Sequence, residues 1–254
     1  MSATTEKKQA AEGGFAEIVK ICAQALLIAV IIRTLIFQPF NIPSGSMEDT
    51  LLVGDYLFVN KFAYGYSHHS LPFSPPIFSD RVFGALPKRG DIAVFKVWVP
   101  QDGWTDYIKR VIGLPGDRIQ MIDGVLHING KPVPKVRLPE DYIEGEGGAA
   151  RHIPRYRETL DNGVSYDVLD MDPNGFLDNT PVYEVPEGHL FMMGDNRDNS
   201  TDSRVQSAVG YVPVENLVGR AEILFFSVER GEHAWAFWKW PWSVRWSRIG
   251  TLLE

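Results

Sequence analysis

The chain has 254 residues, 44% of them hydrophobic and 12% aromatic, which suffices for one large packed domain or two small ones beside an anchor. A formal net charge of −7 with no long basic run excludes nucleic acid as the main partner. The single cysteine, Cys22, excludes an intrachain disulfide. Residues 1–14 are polar and rich in small or charged side chains, and read as a disordered tail. From Phe15 to Phe40 the chain turns apolar, with an unbroken core from Ala25 to Ile32. A helix from Ile18 to Phe37 spans roughly 30 Å, about the hydrocarbon thickness of a bilayer. Arg33 lies near one end, where its guanidinium snorkels to the headgroups. A cleavable secretory signal is the competing reading, but Arg33-Thr34-Leu35-Ile36-Phe37 follows the run where a small-residue cleavage site is needed. Residues 15–40 are therefore read as an uncleaved, single-pass anchor. Lys7, Lys8 and Lys20 precede it and the next lysine after Arg33 is Lys61, a bias that puts the tail in the cytoplasm and the rest outside.

Short β-like runs follow. Tyr56 to Val59, Ile92 to Trp98, Tyr107 to Ile112, Arg118 to Ile122 and Ala221 to Val228 read as strands. Gly54-Asp55, Arg89-Gly90-Asp91, Pro115-Gly116-Asp117 and Asp123-Gly124 are turn signals between them. With no long amphipathic helix beyond the anchor, this predicts a mainly β domain with a barrel-like sheet closed on itself. Segment 65–88, with Pro72, Pro75, Pro76 and Pro87, reads as a long loop. Residues 124–184 are rich in Gly, Pro, Asp and Glu, with sparse strands at Val125 to Ile128 and Val164 to Val168. They read as an inserted subdomain between a first core half, 41–123, and a second, 185–254. Five of the seven tryptophans lie between Trp235 and Trp246. Their rings either sit at lipid headgroup level or pack on the β core.

Three blocks can carry chemistry. Pro43-Ser44-Gly45-Ser46-Met47 offers a serine on a turn that glycine sharpens, and a serine nucleophile needs a base and donors for its oxyanion. Asp106-Tyr107-Ile108-Lys109-Arg110 offers a lysine in an apolar strand. Tyr107, Lys109 and Val111 share one face there, where desolvation lowers a lysine pKa toward that of a base. A solvated edge-strand lysine is the plain alternative, and Lys96 is a competing candidate without a matching block. The histidines at 68, 69, 127, 152, 189 and 233 carry no distinctive local motif for a Ser–His mechanism. The third block, Gly194 to Arg204, is dense in carboxylates. Its EF-hand spacing fails, with Ser200 at position six and Gln206 at twelve counted from Asp195. It reads as a self-bonded loop of turns and ion pairs.

These blocks, in this order behind an N-terminal anchor, resemble bacterial signal peptidase I, the membrane-bound leader peptidase with a Ser–Lys dyad. The likeness covers roughly Phe37 to Ile122 and Glu184 to Val228, and includes Leu51-Leu52-Val53-Gly54-Asp55 and Tyr107-Ile108-Lys109-Arg110-Val111-Ile112-Gly113-Leu114-Pro115-Gly116-Asp117. Where family members often carry proline, this chain has Asp49, and it shows one apolar span where some members have two. The resemblance implies an antiparallel β catalytic core with an inserted domain. It implies Ser46 as nucleophile, Lys109 as general base, and the Ser44 hydroxyl with the Ser46 amide as oxyanion hole. Ser200 orients the lysine, Asp202 and Arg204 hold the loop that places it, and Ile42, Met47, Leu51, Tyr107 and Ile108 line shallow substrate pockets. No metal or organic cofactor is required. The implied partners are preprotein signal peptides with small residues at the first and third positions before the cut, membrane lipid and the nearby export machinery. The implied location is the bacterial inner membrane with the catalytic part outside. A self-cleaving Ser–Lys repressor relative, or an inactive envelope β-domain for protein interaction, are the alternatives.

Overall fold

The computed structural model describes residues 3–71, 74–75, 81–145 and 150–253, and of residues 3–14 the backbone only. Helix α1 covers Ala3–Leu35. From Phe15 to Leu35 it is long and apolar enough to cross a membrane, and none of that stretch is buried in protein. The strands in chain order are β1 (Phe37–Asn41), β2 (Asp55–Asn60), β3 (Ile92–Val99), β4 (Gly103–Gly113), β5 (Arg118–Ile122), β6 (Val125–Ile128), β7 (Lys131–Pro132) and β8 (Lys135–Arg137). There follow β9 (Tyr142–Glu144), β10 (Arg151–Ile153), β11 (Arg155–Thr159), β12 (Ser165–Leu169), β13 (Tyr183–Glu184), β14 (His189–Met193), β15 (Val212–Pro213) and β16 (Leu217–Ser227). Beyond α1 the described α-helix is one turn, Trp240–Ser243.

Seven strands make the main sheet in the order β1-β2-β16-β3-β4-β14-β15, each neighbouring pair antiparallel. Among the described residues no pairing joins β1 to β15. Ile92 to Phe95 of β3 are all buried, as suits a central strand covered on both faces. Met47, Leu51, Leu57, Val59 and Leu224 form one apolar cluster of the core, while Phe95, Val111, Leu190 and Met192 form another. A third cluster joins Ile112 and Phe191 of the main sheet to Ile119, Leu126, Tyr166 and Val168. The smaller sheets β13-β5-β6-β7 and β12-β11-β8 contribute to this cluster, and the remaining pair is β10-β9.

Four expectations differ from this architecture. The helix expected to reach Phe37 stops at Leu35, and the rest of the apolar run, from Phe37, belongs to β1. Pro39 cannot donate an amide to a helix, and Phe37 to Asn41 find partners along β2 instead. The helix also runs back to Ala3 through the tail read as disordered, where Ala, Glu, Lys and Gln all favour helix. Strand β5, expected in the first half of the core, pairs with β6 and β13 in a smaller sheet, so the chain leaves the main sheet after Gly113. Within 65–88, where a loop is expected, a short 3-10 turn stands at His68–Ser70 and Tyr66 bridges to Val82. Residues 72, 73 and 76–80 lie outside the described residues.

Candidate active site

The Ser44-Gly45-Ser46 sequence folds as a single 3-10 turn, Gly45–Met47, capped by the Glu48 amide on the Gly45 carbonyl at 3.1 Å. Met47 is wholly buried beneath it and anchors the turn to the core, leaving Ser46 8% exposed. A second loop clamps the turn from behind: the Asn196 amide donates to the Ser46 carbonyl at 3.2 Å, and Asn196 Nδ2 donates to the Gly45 carbonyl at 3.0 Å. Gly194 makes this approach possible. A Cβ on it would stand 2.4 Å from the Ser46 carbonyl oxygen and 2.2 Å from Ser200 Oγ.

Lys109 comes from the middle of β4, opposite Ala93 of β3. Its Nζ lies 2.6 Å from Ser46 Oγ and donates to the Ile108 carbonyl at 2.9 Å. The residue is 3% exposed. Burial pulls its pKa down to about 8, against the opposing carboxylates of Asp202 and Asp195. Ser44 Oγ stands 3.5 Å from Ser46 Oγ. A cleft of about 360 Å³ opens over these groups, lined by Pro43, Ser44, Tyr107, Ile108, Asn199 and Thr201 among others. A larger hollow of about 680 Å³ beside Arg155 and Asp167 contains neither Ser46 nor Lys109.

The loop Gly194 to Arg204 is built on buried ion pairs. Asp202 accepts from Arg204 Nε at 2.9 Å, from Nη2 at 2.8 Å and from the Gly194 amide at 3.0 Å. Burial opposes its charge, but the Arg204 guanidinium and these bonds prevail and hold the carboxyl below the usual range. Arg110, next to Lys109 on the opposite face of β4, is wholly buried and grips Asp195 through Nε–Oδ1 at 2.9 Å and Nη2–Oδ2 at 2.7 Å. Arg197 grips Glu158 in the same way, at 2.7 and 2.5 Å. The site therefore stands on a charged but paired floor.

The sequence-predicted residues divide. Ser44, Ser46, Lys109, Tyr107 and Ile108 line one cleft. Asp202 and Arg204 pair in the loop behind it. Ser200 Oγ is buried but makes no hydrogen bond to Lys109, whose second bond goes to the Ile108 carbonyl. Ile42, Met47 and Leu51 do not line the cleft. They are 3%, 0% and 0% exposed and belong to the apolar core cluster of Leu57, Val59 and Leu224. Gly194, Asn196 and the Arg110–Asp195 pair were not singled out as site residues. Their role depends on which loop lies behind the turn, and spacing along the chain does not carry that.

The model of the family described as "Signal peptidase, peptidase S26" matches residues 15–226. A signal peptidase I of Rickettsia conorii is 45% identical over 82% of this chain and 78% of its own length. One of Rickettsia typhi is 46% identical over 80% of this chain and 77% of its own. A crystal structure of a signal peptidase I from Enterococcus faecalis is 28% identical and covers 54% of this chain and 97% of its own, with a TM-score of 0.29.

Proposed function

Because the chain belongs to the signal peptidase S26 family, and is thus a serine endopeptidase that removes signal peptides from preproteins, we propose that Ser46 and Lys109 carry its chemistry. One observation carries the assignment: a buried lysine with its pKa drawn down to about 8 stands 2.6 Å from a serine hydroxyl at the floor of a cleft. Neutral Lys109 takes the Ser46 proton as Oγ attacks the scissile carbonyl carbon. The Ser46 amide and the Ser44 hydroxyl donate to the oxyanion that forms. The ammonium of Lys109 returns its proton to the leaving amine, and the new N-terminus departs. Lys109, neutral again, takes a proton from water as the water oxygen attacks the acyl ester carbon, and gives that proton to Ser46 Oγ as the ester bond breaks. The Ile108 carbonyl holds Nζ in line through both halves. Asp202 and Arg204 keep the loop against the turn.

The substrate side chains at the first and third positions before the cut are small, as a shallow cleft beside Tyr107 and Ile108 requires. Helix α1 anchors the chain once in the inner membrane, with the N-terminus cytoplasmic and the β domain outside near the export machinery. Lipid contact by the C-terminal segment is supported by its aromatics: Trp235, Phe237, Trp238, Trp242 and Trp246 are all more than half exposed. Domain limits follow the sheets, with residues 37–113 and 185–253 as catalytic core and 118–184 inserted. The test is Ser46→Ala in the full chain, assayed on a preprotein in detergent. The product band should vanish while far-UV circular dichroism and the melting temperature hold. More than a trace of turnover removes Ser46 as nucleophile.

A further inference from the structure

The acidic segment 170–178 plays no part in the site above. It reads Asp170-Met171-Asp172-Pro173-Asn174-Gly175-Phe176-Leu177-Asp178, with oxygen-bearing side chains at positions one, three, five and nine and glycine at six. That is the spacing of a calcium loop. Position twelve, where such loops carry a chelating glutamate, is Pro181. The fold brings another carboxylate to this place. Asp198, from the loop behind the catalytic turn, meets Asp170 and Asp178 so that one oxygen from each lies within 4.8 Å of the others.

Each of the three carboxylates has one oxygen already bonded. Asp198 Oδ2 accepts the Met171 and Asp172 amides at 2.6 and 3.0 Å, and Asp178 Oδ2 accepts the Gly175 amide at 2.7 Å. Asp170 Oδ2 accepts Lys135 Nζ at 2.5 Å. The second oxygen of Asp170 is the independent sign of a ligand. This residue is 8% exposed, and its Oδ1 is buried with no hydrogen bond at all. A buried carboxylate oxygen without a donor is costly unless a cation meets it. Lys135 divides its ammonium between Asp170 and the Gly124 carbonyl at 2.8 Å. One cation against three carboxylates leaves an excess of negative charge.

We propose that Asp170, Asp178 and Asp198, completed by oxygens of the 172–176 turn, form a structural calcium site that ties the inserted sheets to the loop under the catalytic turn. An all-oxygen donor set selects a hard cation, and a flexible turn that also offers carbonyls suits calcium better than magnesium's strict octahedron. Without a position-twelve glutamate, and with Lys135 cancelling one charge, the dissociation constant falls in the range of about 10⁻⁴–10⁻³ M typical of extracellular modules. The ion would reinforce two existing links between the segments, Leu169 N to the Asp195 carbonyl and Arg197 N to the Leu169 carbonyl, both 2.9 Å.

The test uses the full-length protein in detergent, stripped with a chelator and titrated calorimetrically with CaCl₂ or MgCl₂. Thermal melting is followed with and without 10 mM of each salt. Calcium should give saturable heat and raise Tm by roughly 3–10 °C, the shift expected at about ten to a hundred times that dissociation constant. Asp178→Asn should lose both effects yet melt, calcium-free, at or above wild type, because it relieves repulsion among the carboxylates. A merely structural aspartate would lower that calcium-free Tm instead. Asp198→Asn gives a second reading should Asp178→Asn misfold. The site is overturned by absence of saturable calcium heat, by a calcium shift no larger than that of magnesium, or by both variants keeping the wild-type shift. None of these readouts depends on Ser46 or Lys109.

Discussion

A single proton decides the state of this site at the residue scale. With a pKa near 8, Lys109 is mostly protonated at pH 6 and mostly neutral at pH 9. The rate kcat/KM should therefore climb about tenfold per unit below pH 8 and level off above it. Lys109→Arg should be as inactive as Lys109→Ala, since a guanidinium keeps its proton. A flat profile, or an active arginine variant, would move the base elsewhere. Stability follows the same proton. The unfolded lysine titrates near 10.5, so between pH 8 and 10.5 the unfolded chain binds more protons and stability rises with pH. Below pH 8 this burial costs about 3 kcal/mol, which Lys109→Met should recover in urea titrations at pH 7. Ser44→Ala should lower kcat by about 10²–10³ with little change in KM if its hydroxyl serves the oxyanion. At this scale the sequence was legible where a residue's chemistry is local. Ser46 on its glycine turn and Lys109 in its apolar strand both stand in the cleft. Ile42, Met47 and Leu51 were not legible in the same way. Whether an apolar side chain points to a cleft or to the core is set by the strands packed under it.

Strand β4 is the element on which most depends, because it buries a lysine on one face and an arginine on the other. The Arg110–Asp195 pair joins β4 to the loop that backs Ser46. Replacing Arg110 with methionine strands a buried carboxylate and should destabilise the protein by about 3–5 kcal/mol in chemical denaturation. Loss of less than 1 kcal/mol would show that Asp195 finds other donors. Gly194→Ala probes the same joint sterically. Its Cβ must displace the Ser46 carbonyl, which is backbone, so kcat should fall at least tenfold even where the fold survives. A wild-type kcat would mean that the loop yields freely. Seven of the sixteen described strands were readable from alternation and turn residues, including β3, β5 and β6. The exceptions have physical causes. Strand β1 carries Phe37 and Phe40 directly after the apolar helix, so a reading by apolar residues carries the helix past Leu35. Strand β5 has the same alternation whichever sheet it joins, and its partner is a matter of topology.

On the scale of the whole molecule, the C-terminal aromatics separate into two kinds. Trp240 is half-buried, packs on Phe226 at 5.1 Å between ring centroids and donates its indole N–H to the Ala234 carbonyl at 3.0 Å. Its neighbours Trp235, Trp238 and Trp242 are 68%, 55% and 73% exposed. A form lacking residues 1–35, which keeps β1, should still sediment with anionic vesicles at low salt. Changing Trp235, Trp238 and Trp242 to serine should release it without altering its melting temperature. Failure of the truncated form to bind would assign membrane attachment to α1 alone.

The junction at Ile36 has a further consequence. One residue separates the apolar helix from strand β1, and its carbonyl is already bonded to the Lys61 amide at 3.0 Å. Lys61 Nζ also reaches the Thr34 carbonyl, and the Tyr66 hydroxyl bonds that of Leu35. The β domain is thus mounted on its anchor like a gauge on a post. With α1 in a bilayer, Ser46 would stand at a set height above the lipid, and a scissile bond would be selected by how far it has emerged as well as by its side chains. A flexible Gly-Ser insertion after Leu35 should leave cleavage of a soluble peptide intact but scatter the cut positions in membrane-embedded preproteins. A single unchanged cut would show that side chains alone do the measuring.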